Sequence, residues 1–143
     1  MNGPTIDTFL TYEQAKLMKE MGYDEQTYFF YYTDIAEDGT PVVVHSGFVV
    51  PYRNSEIVVL LLSRISAPTQ AQATRWLRSK GYETVVSPVF DYEEGLEGYD
   101  FGVYDDATGY IAIQGTFPYS ETYEEALSKA IDAALDLMKG GQE

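Results

Sequence analysis

A chain of 143 residues with 23 acidic and 9 basic side chains has a net charge of −14, so nucleic-acid backbones and anionic membrane surfaces both repel it. It has no cysteine, which excludes disulfides, thiolate metal ligands and cysteine nucleophiles, and its single histidine leaves little with which to hold zinc. The length fits one domain spanning residues 1–143, and 45% hydrophobic residues suffice for a packed core.

The opening residues, Met1-Asn2-Gly3-Pro4-Thr5, lack the basic and apolar stretches of a secretory leader. The longest apolar run, residues 57–62, is too short to cross a bilayer. A cytoplasmic protein is therefore expected. The first helix begins at Thr11. Thr11-Tyr12-Glu13-Gln14 places a hydroxyl to receive the amide three residues on, and a glutamine to reach back to the threonine amide. The same T-x-x-[QE] signal recurs at Thr69–Gln72 and Thr122–Glu125, each time followed by alanine. Stops are expected at Gly22, Gly81 and Gly140.

After the first helix, strands are expected over residues 27–33, 41–50 and 56–62, with Asp38-Gly39 turning the first hairpin and residues 51–54 the second. After the second helix come strands over 83–92, 99–104 and 110–116, the last two joined by Asp105-Asp106-Ala107-Thr108-Gly109. Pro88 suggests an edge or a bulge, and Gly47 a kink. In the last helix Leu127, Ala130, Ile131, Ala134, Leu135 and Met138 form one apolar stripe. The order α-βββ-α-βββ-α implies an α+β fold of antiparallel meanders with helices on one side, and the two αβββ halves match in pattern.

Charge is segregated along the chain. Residues 81–128 hold eleven acids and neither lysine nor arginine, whereas residues 53–80 hold five basic residues against Glu56 alone. The acids concentrate in Asp91, Glu93, Glu94, Glu97 and Asp100, with Asp105 and Asp106 beyond. Paired carboxylates can do acid/base chemistry or hold a divalent cation. These clusters match no EF-hand spacing and fall in turns, where acids are ordinarily solvated, so they are read as an interaction surface rather than a catalytic or metal site. His45, mid-strand, has no nucleophile signature near it and is expected to be bonded to a neighbour or to water. Phosphate-binding glycine loops are absent, and no cofactor is expected.

Thirteen tyrosines are unusual, and in Tyr28-Phe29-Phe30-Tyr31-Tyr32 both faces of a strand carry aromatics. Either both faces are covered within the fold, or Tyr28, Tyr31 and Tyr32 meet a partner or a second copy. In the second helix Arg75 and Arg78 flank Trp76, near Lys80, and together they make the best candidate for a small-anion site. Cations near a helix C-terminus also stabilise the helix by themselves.

Ala67-Pro68-Thr69, continuing to Trp76-Leu77-Arg78 and Gly81, is similar to the A-P-T-x-x-x-A-x-x-W-L-R segment of small uncharacterised proteins encoded by phages, prophages and mobile elements of gut anaerobes. Thr122-Tyr123-Glu124-Glu125-Ala126-Leu127, running on to Ala134-Leu135, resembles the C-terminal helix of the same group. The resemblance implies a small accessory protein in a phage-borne setting and carries over no functional residues.

The favoured expectation is a non-enzymatic acidic protein that binds and inhibits a host protein of defence or nucleic-acid handling, without direct contact to nucleic acid or membrane. The alternative is a binder that sequesters a nucleotide-like signalling molecule through Arg75, Trp76 and Arg78. Hydrolysis at the carboxylate loops is a third, less supported expectation.

Overall fold

A computed structural model describes residues 9–55, 64–109, 111–115 and 118–141. Among them the order is α1 (Tyr12–Glu20), β1 (Thr27–Ile35), β2 (Pro41–Tyr52), β3 (Ile65–Ser66), α2 (Gln70–Ser79), β4 (Tyr82–Asp91), β5 (Gly95–Asp105), β6 (Ile111–Gln114) and α3 (Tyr123–Gly141). The fold is α+β, with two three-stranded antiparallel sheets ordered β2-β1-β3 and β4-β5-β6. The described residues divide into two compact units, one within residues 9–69 and one within residues 70–141. No helix among the described residues is long and apolar enough to cross a membrane.

In the unit of residues 9–69, Thr11 makes the full capping box. Its hydroxyl accepts from the Gln14 amide at 3.2 Å, and its own amide donates to Gln14 Oε1 at 3.0 Å. α1 ends through Gly22 at φ +97°, with the Gly22 amide on Lys19 O and the Tyr23 amide on Met18 O, so that both closing hydrogen bonds of a glycine-ended helix are made. The Tyr23 side chain is buried beside that end. β1 lies in the centre of its sheet. It pairs with β2 from Ile35↔Pro41 to Phe29↔Gly47 without a register shift, and with β3 through Phe30↔Ser66 and Tyr31↔Ile65. The β1–β2 register breaks next to Gly47, as its sequence position suggested. Ala15, Tyr31, Ile65 and Ala67 form the core, with Tyr12 and Phe29 against it. Buried Asn54 ties this core to the end of α1, donating to Tyr23 O and accepting from the Ser66 amide, each at 2.8 Å.

In the second unit, Thr122 Oγ1 caps α3 by accepting from the Glu125 amide at 3.1 Å. The buried face of α3 is Ala126, Ala130, Ile131, Ala134, Leu135 and Met138, the expected stripe with Leu127 only partly covered. It packs with α2 residues Ala73, Trp76 and Leu77 over β4 and β5, where Val103 is fully buried. α2 closes through Gly81 at φ +95°. α3, by contrast, passes the expected stop at Gly140 and runs to Gly141, because Gly140 does not adopt the left-handed conformation that would turn the chain out. β4 carries Pro88 as an edge strand, and the β4–β5 register shifts at Val89/Phe90. Gly98 is required where Tyr99 bridges to Ser120, since a Cβ there would stand 2.9 Å from the Ser120 carbonyl.

The two halves share an element order but not a strand order. The second sheet is the expected meander, whereas the first places β1 in the middle. The strand expected over residues 56–62 lies outside the described residues, and β3 follows it. The predicted sixth strand is seen as Ile111–Gln114.

Candidate interaction surface

The β4–β5 hairpin ends in a short turn built by its own acids. Asp91 Oδ1 accepts from the Glu93 amide at 2.7 Å and the Glu94 amide at 3.3 Å, and Gly95 at φ +85° returns the chain into β5. Phe90 faces Leu96 across the ladder, as Asp91 faces Gly95. Phe90 is 68% exposed, Leu96 51%, and Tyr92 at the apex is fully exposed. Glu93, Glu94 and Glu97 are exposed around them, with no side-chain hydrogen bond or ion pair among the described residues. The hairpin tip therefore presents three large exposed apolar groups together with the exposed Glu93, Glu94 and Glu97.

Of the acids expected at an interface, Asp91, Glu93, Glu94 and Glu97 gather on this tip. The Asp91 carboxylate is occupied in holding the turn. Asp100 lies farther down β5, half-buried, accepting from the Phe101 amide at 2.8 Å. It lines a shallow concavity of about 80 Å³ with Val85, Ser87, Gly102, Tyr104 and Ile111. Phe90, Tyr92 and Leu96 were missed by the sequence reading. The available signal was three large apolar residues interleaved with acids across a turn.

The aromatic strand β1 divides. Tyr28 is exposed and Tyr32 half-buried. Tyr31, expected at an interface, is instead buried in the core, where its hydroxyl donates to the Leu10 carbonyl and burial raises its pKa. The side chain satisfies its polar end inside the fold and has nothing left to offer a partner. On the opposite face the Arg64 guanidinium lies 4.3 Å from the Phe30 ring centroid and 5.4 Å from that of Tyr32.

His45 faces Tyr31 in the β1–β2 register and stacks among Phe9, Phe29 and Tyr31, with centroids 4.6, 5.4 and 5.1 Å away. Its Nε2 is buried without a hydrogen-bond partner among the described residues, and desolvation lowers its pKa, so the ring is neutral at pH 7. His45 is thus an aromatic packing element of this sheet.

Arg75, Trp76 and Arg78 do not converge on an open site. Trp76 is 4% exposed within the helix-sheet core, with Lys80 Nζ 5.6 Å from its ring centroid. Arg78 Nε donates to both oxygens of the Glu83 carboxylate at 2.9 and 3.1 Å, which raises the arginine pKa further, with a smaller contribution from Asp106. Arg75 is exposed. Among the described residues no three His, Asp or Glu side chains group so as to hold a metal ion.

No family model matches the chain, and no curated protein or solved structure matches it either.

Proposed function

We propose that this chain is a non-enzymatic interaction protein, encoded by a phage or mobile element, that binds and inhibits a host protein of defence or nucleic-acid handling. The observation that supports this most is the hairpin tip. Solvent-facing apolar groups gathered at one projecting point are characteristic of protein contacts, and central aromatic anchors contribute most of the affinity at such contacts. The surrounding Glu93, Glu94 and Glu97 favour a basic surface and speed the encounter with it. A protein that handles nucleic acid carries such a surface. The phage setting comes from the resemblance of the Ala67–Gly81 and Thr122–Leu135 stretches.

The test is capture from a bacterial host lysate with wild type and with the triple variant Phe90→Ser, Tyr92→Ser, Leu96→Ser. A host protein held by wild type, lost with the variant and released by raised salt is the expected result. An identical set of retained proteins with both baits overturns the reading.

A further inference from the structure

We propose that the concavity around Asp100 on the β4-β5-β6 sheet is a binding site for a guanidinium group, supplied by an arginine of a basic protein. Residues directly opposed in an antiparallel ladder share a face. Ser87 opposes Asp100, Val85 opposes Gly102, and Gln114 opposes Gly102 from the other side. Tyr104 opposes Ile111 past a register shift next to Val103, and this bulge brings Ile111 onto the same face as Gln114. Val103, between Gly102 and Tyr104, points the opposite way, into the core under α2 and α3. The hollow occupies the place of the side chain that Gly102 lacks, since a Cβ there would stand 3.2 Å from Ile111 Cδ1. Tyr104 and Ile111 at its wall are 39% and 41% exposed, so the hollow is reached from solvent.

Charge and donor type select the occupant. Asp100 is the one charged residue among those lining the hollow, beside the Ser87 hydroxyl, the Gln114 amide and the Tyr104 ring. One Asp100 oxygen accepts from the Phe101 amide at 2.8 Å, which leaves the second oxygen to a ligand. The described residues include all nine lysines and arginines of the chain, and none of them pairs with Asp100. A cation from another molecule therefore meets an unneutralised, half-buried carboxylate there. A single carboxylate is too little for calcium or magnesium, which take about six or more oxygen ligands. A guanidinium fits instead. It is planar and weakly hydrated, forks onto a carboxylate, stacks on an aromatic ring and tolerates apolar walls such as Val85 and Ile111. Sites that enclose a whole small molecule run from about 300 Å³. This hollow, at about 80 Å³, admits only the tip of a longer group. The net charge of −14 draws basic proteins, whose arginines carry such a tip. The site uses no hairpin-tip residue, and it rests on the function proposed above only in sharing the expectation of a basic partner.

The test is a titration of the isotope-labelled full chain, read by amide NMR shifts, with N-acetylarginine methylamide and its lysine and citrulline counterparts. The arginine probe is expected to shift Ser87, Asp100, Gly102 and Gln114 and to saturate with a dissociation constant of about 1–10 mM. Citrulline, which keeps the shape without the charge, is expected to leave them in place, and lysine to bind about threefold or more weakly. Asp100→Asn keeps an acceptor for the Phe101 amide and is expected to raise the dissociation constant about tenfold. Tyr92→Ser is expected to leave it unchanged, so that failure of this site and failure of the hairpin contact are read separately. A peptide with one arginine among alanines is expected to bind no more weakly than the small probe. Citrulline or lysine binding as well as arginine, Asp100→Asn without effect, or a peptide excluded from the site each overturns the proposal. Shifts that do not saturate by about 100 mM overturn it as well.

Discussion

Glu83 receives Arg78 through both carboxylate oxygens, at 2.9 and 3.1 Å from Nε, one residue into the strand that follows the helix. This pairing occupies the cation that a nucleotide-like ligand would need, and it lies on the surface, with the two side chains 58% and 37% exposed. Exposed ion pairs contribute little to stability. Arg78→Ala is therefore expected to leave the urea unfolding midpoint nearly unchanged, with any difference vanishing at high salt. Trp76→Ala, at the buried position two residues earlier, is expected to lower stability by about 3–5 kcal/mol. Equal effects of the two variants would contradict this division of roles.

His45 gives the protein a specific acid sensitivity. Burial depresses its folded pKa below the ordinary value of 6.5, so above that value both folded and unfolded chains carry it neutral and it has no effect. As pH falls through 6.5, the unfolded chain binds the proton first and the fold loses stability, until the folded ring also protonates. Asp38 acts in a lower window. Hydrogen bonds from Thr40, its side chain first and then its amide, depress the Asp38 pKa below 3.8, so that stability is lost only as pH falls through that range. Urea unfolding at pH 8 and pH 5.5 is expected to differ more for wild type than for His45→Phe, which keeps the aromatic packing without the titration.

The hairpin tip is expected to separate binding from folding. Phe90, Tyr92 and Leu96 are exposed, and surface substitutions usually change stability by no more than about 0.5 kcal/mol. Tyr92→Ser should therefore melt like wild type while losing the captured partner. Glu94→Gln with Glu97→Gln should slow association and weaken its salt dependence more than it speeds dissociation, as surface plasmon resonance would show.

Gly98→Ala should destabilise by about 1–3 kcal/mol, because the new methyl meets the Ser120 carbonyl and Tyr119 Cβ, both at 2.9 Å, and a backbone carbonyl does not yield cheaply. Gly22, whose absent Cβ has nothing within 4 Å, tests a different quantity. There alanine acts through the left-handed φ of +97° alone. Chemical denaturation of both variants checks the contrast.

The sequence announces the helices well, because their signals are local. The Thr11 and Thr122 caps and the Gly22 and Gly81 exits each involve groups within a few residues, and the α3 stripe repeats with the helical period. Strand order depends on distant pairing, and in the first sheet it stayed hidden. Ile65–Ser66 is too short to show a period, yet it takes the second edge of β1 and moves that strand to the centre. Tyr31 was illegible for a similar reason. Alternation shows that Tyr28–Tyr32 has two faces, but only the Leu10 carbonyl, 21 residues away, decides that the Tyr31 hydroxyl belongs inside. At the hairpin the acids were visible by their charge, while Phe90 and Leu96 become meaningful only once their register sets them opposite each other.

β2 carries no Asp, Glu, Lys or Arg, and this bears on how the protein can be handled. Its calculated isoelectric point is near 4.2, and as a buffer approaches that value the repulsion between molecules fades. In chains that acid has begun to loosen around His45, that one protonated ring is then the only charge on residues 41–47 to oppose strand-to-strand contact. Acid elution and low-pH storage are the steps at which this protein should cloud, and a lysine at Val43 should keep such preparations clear.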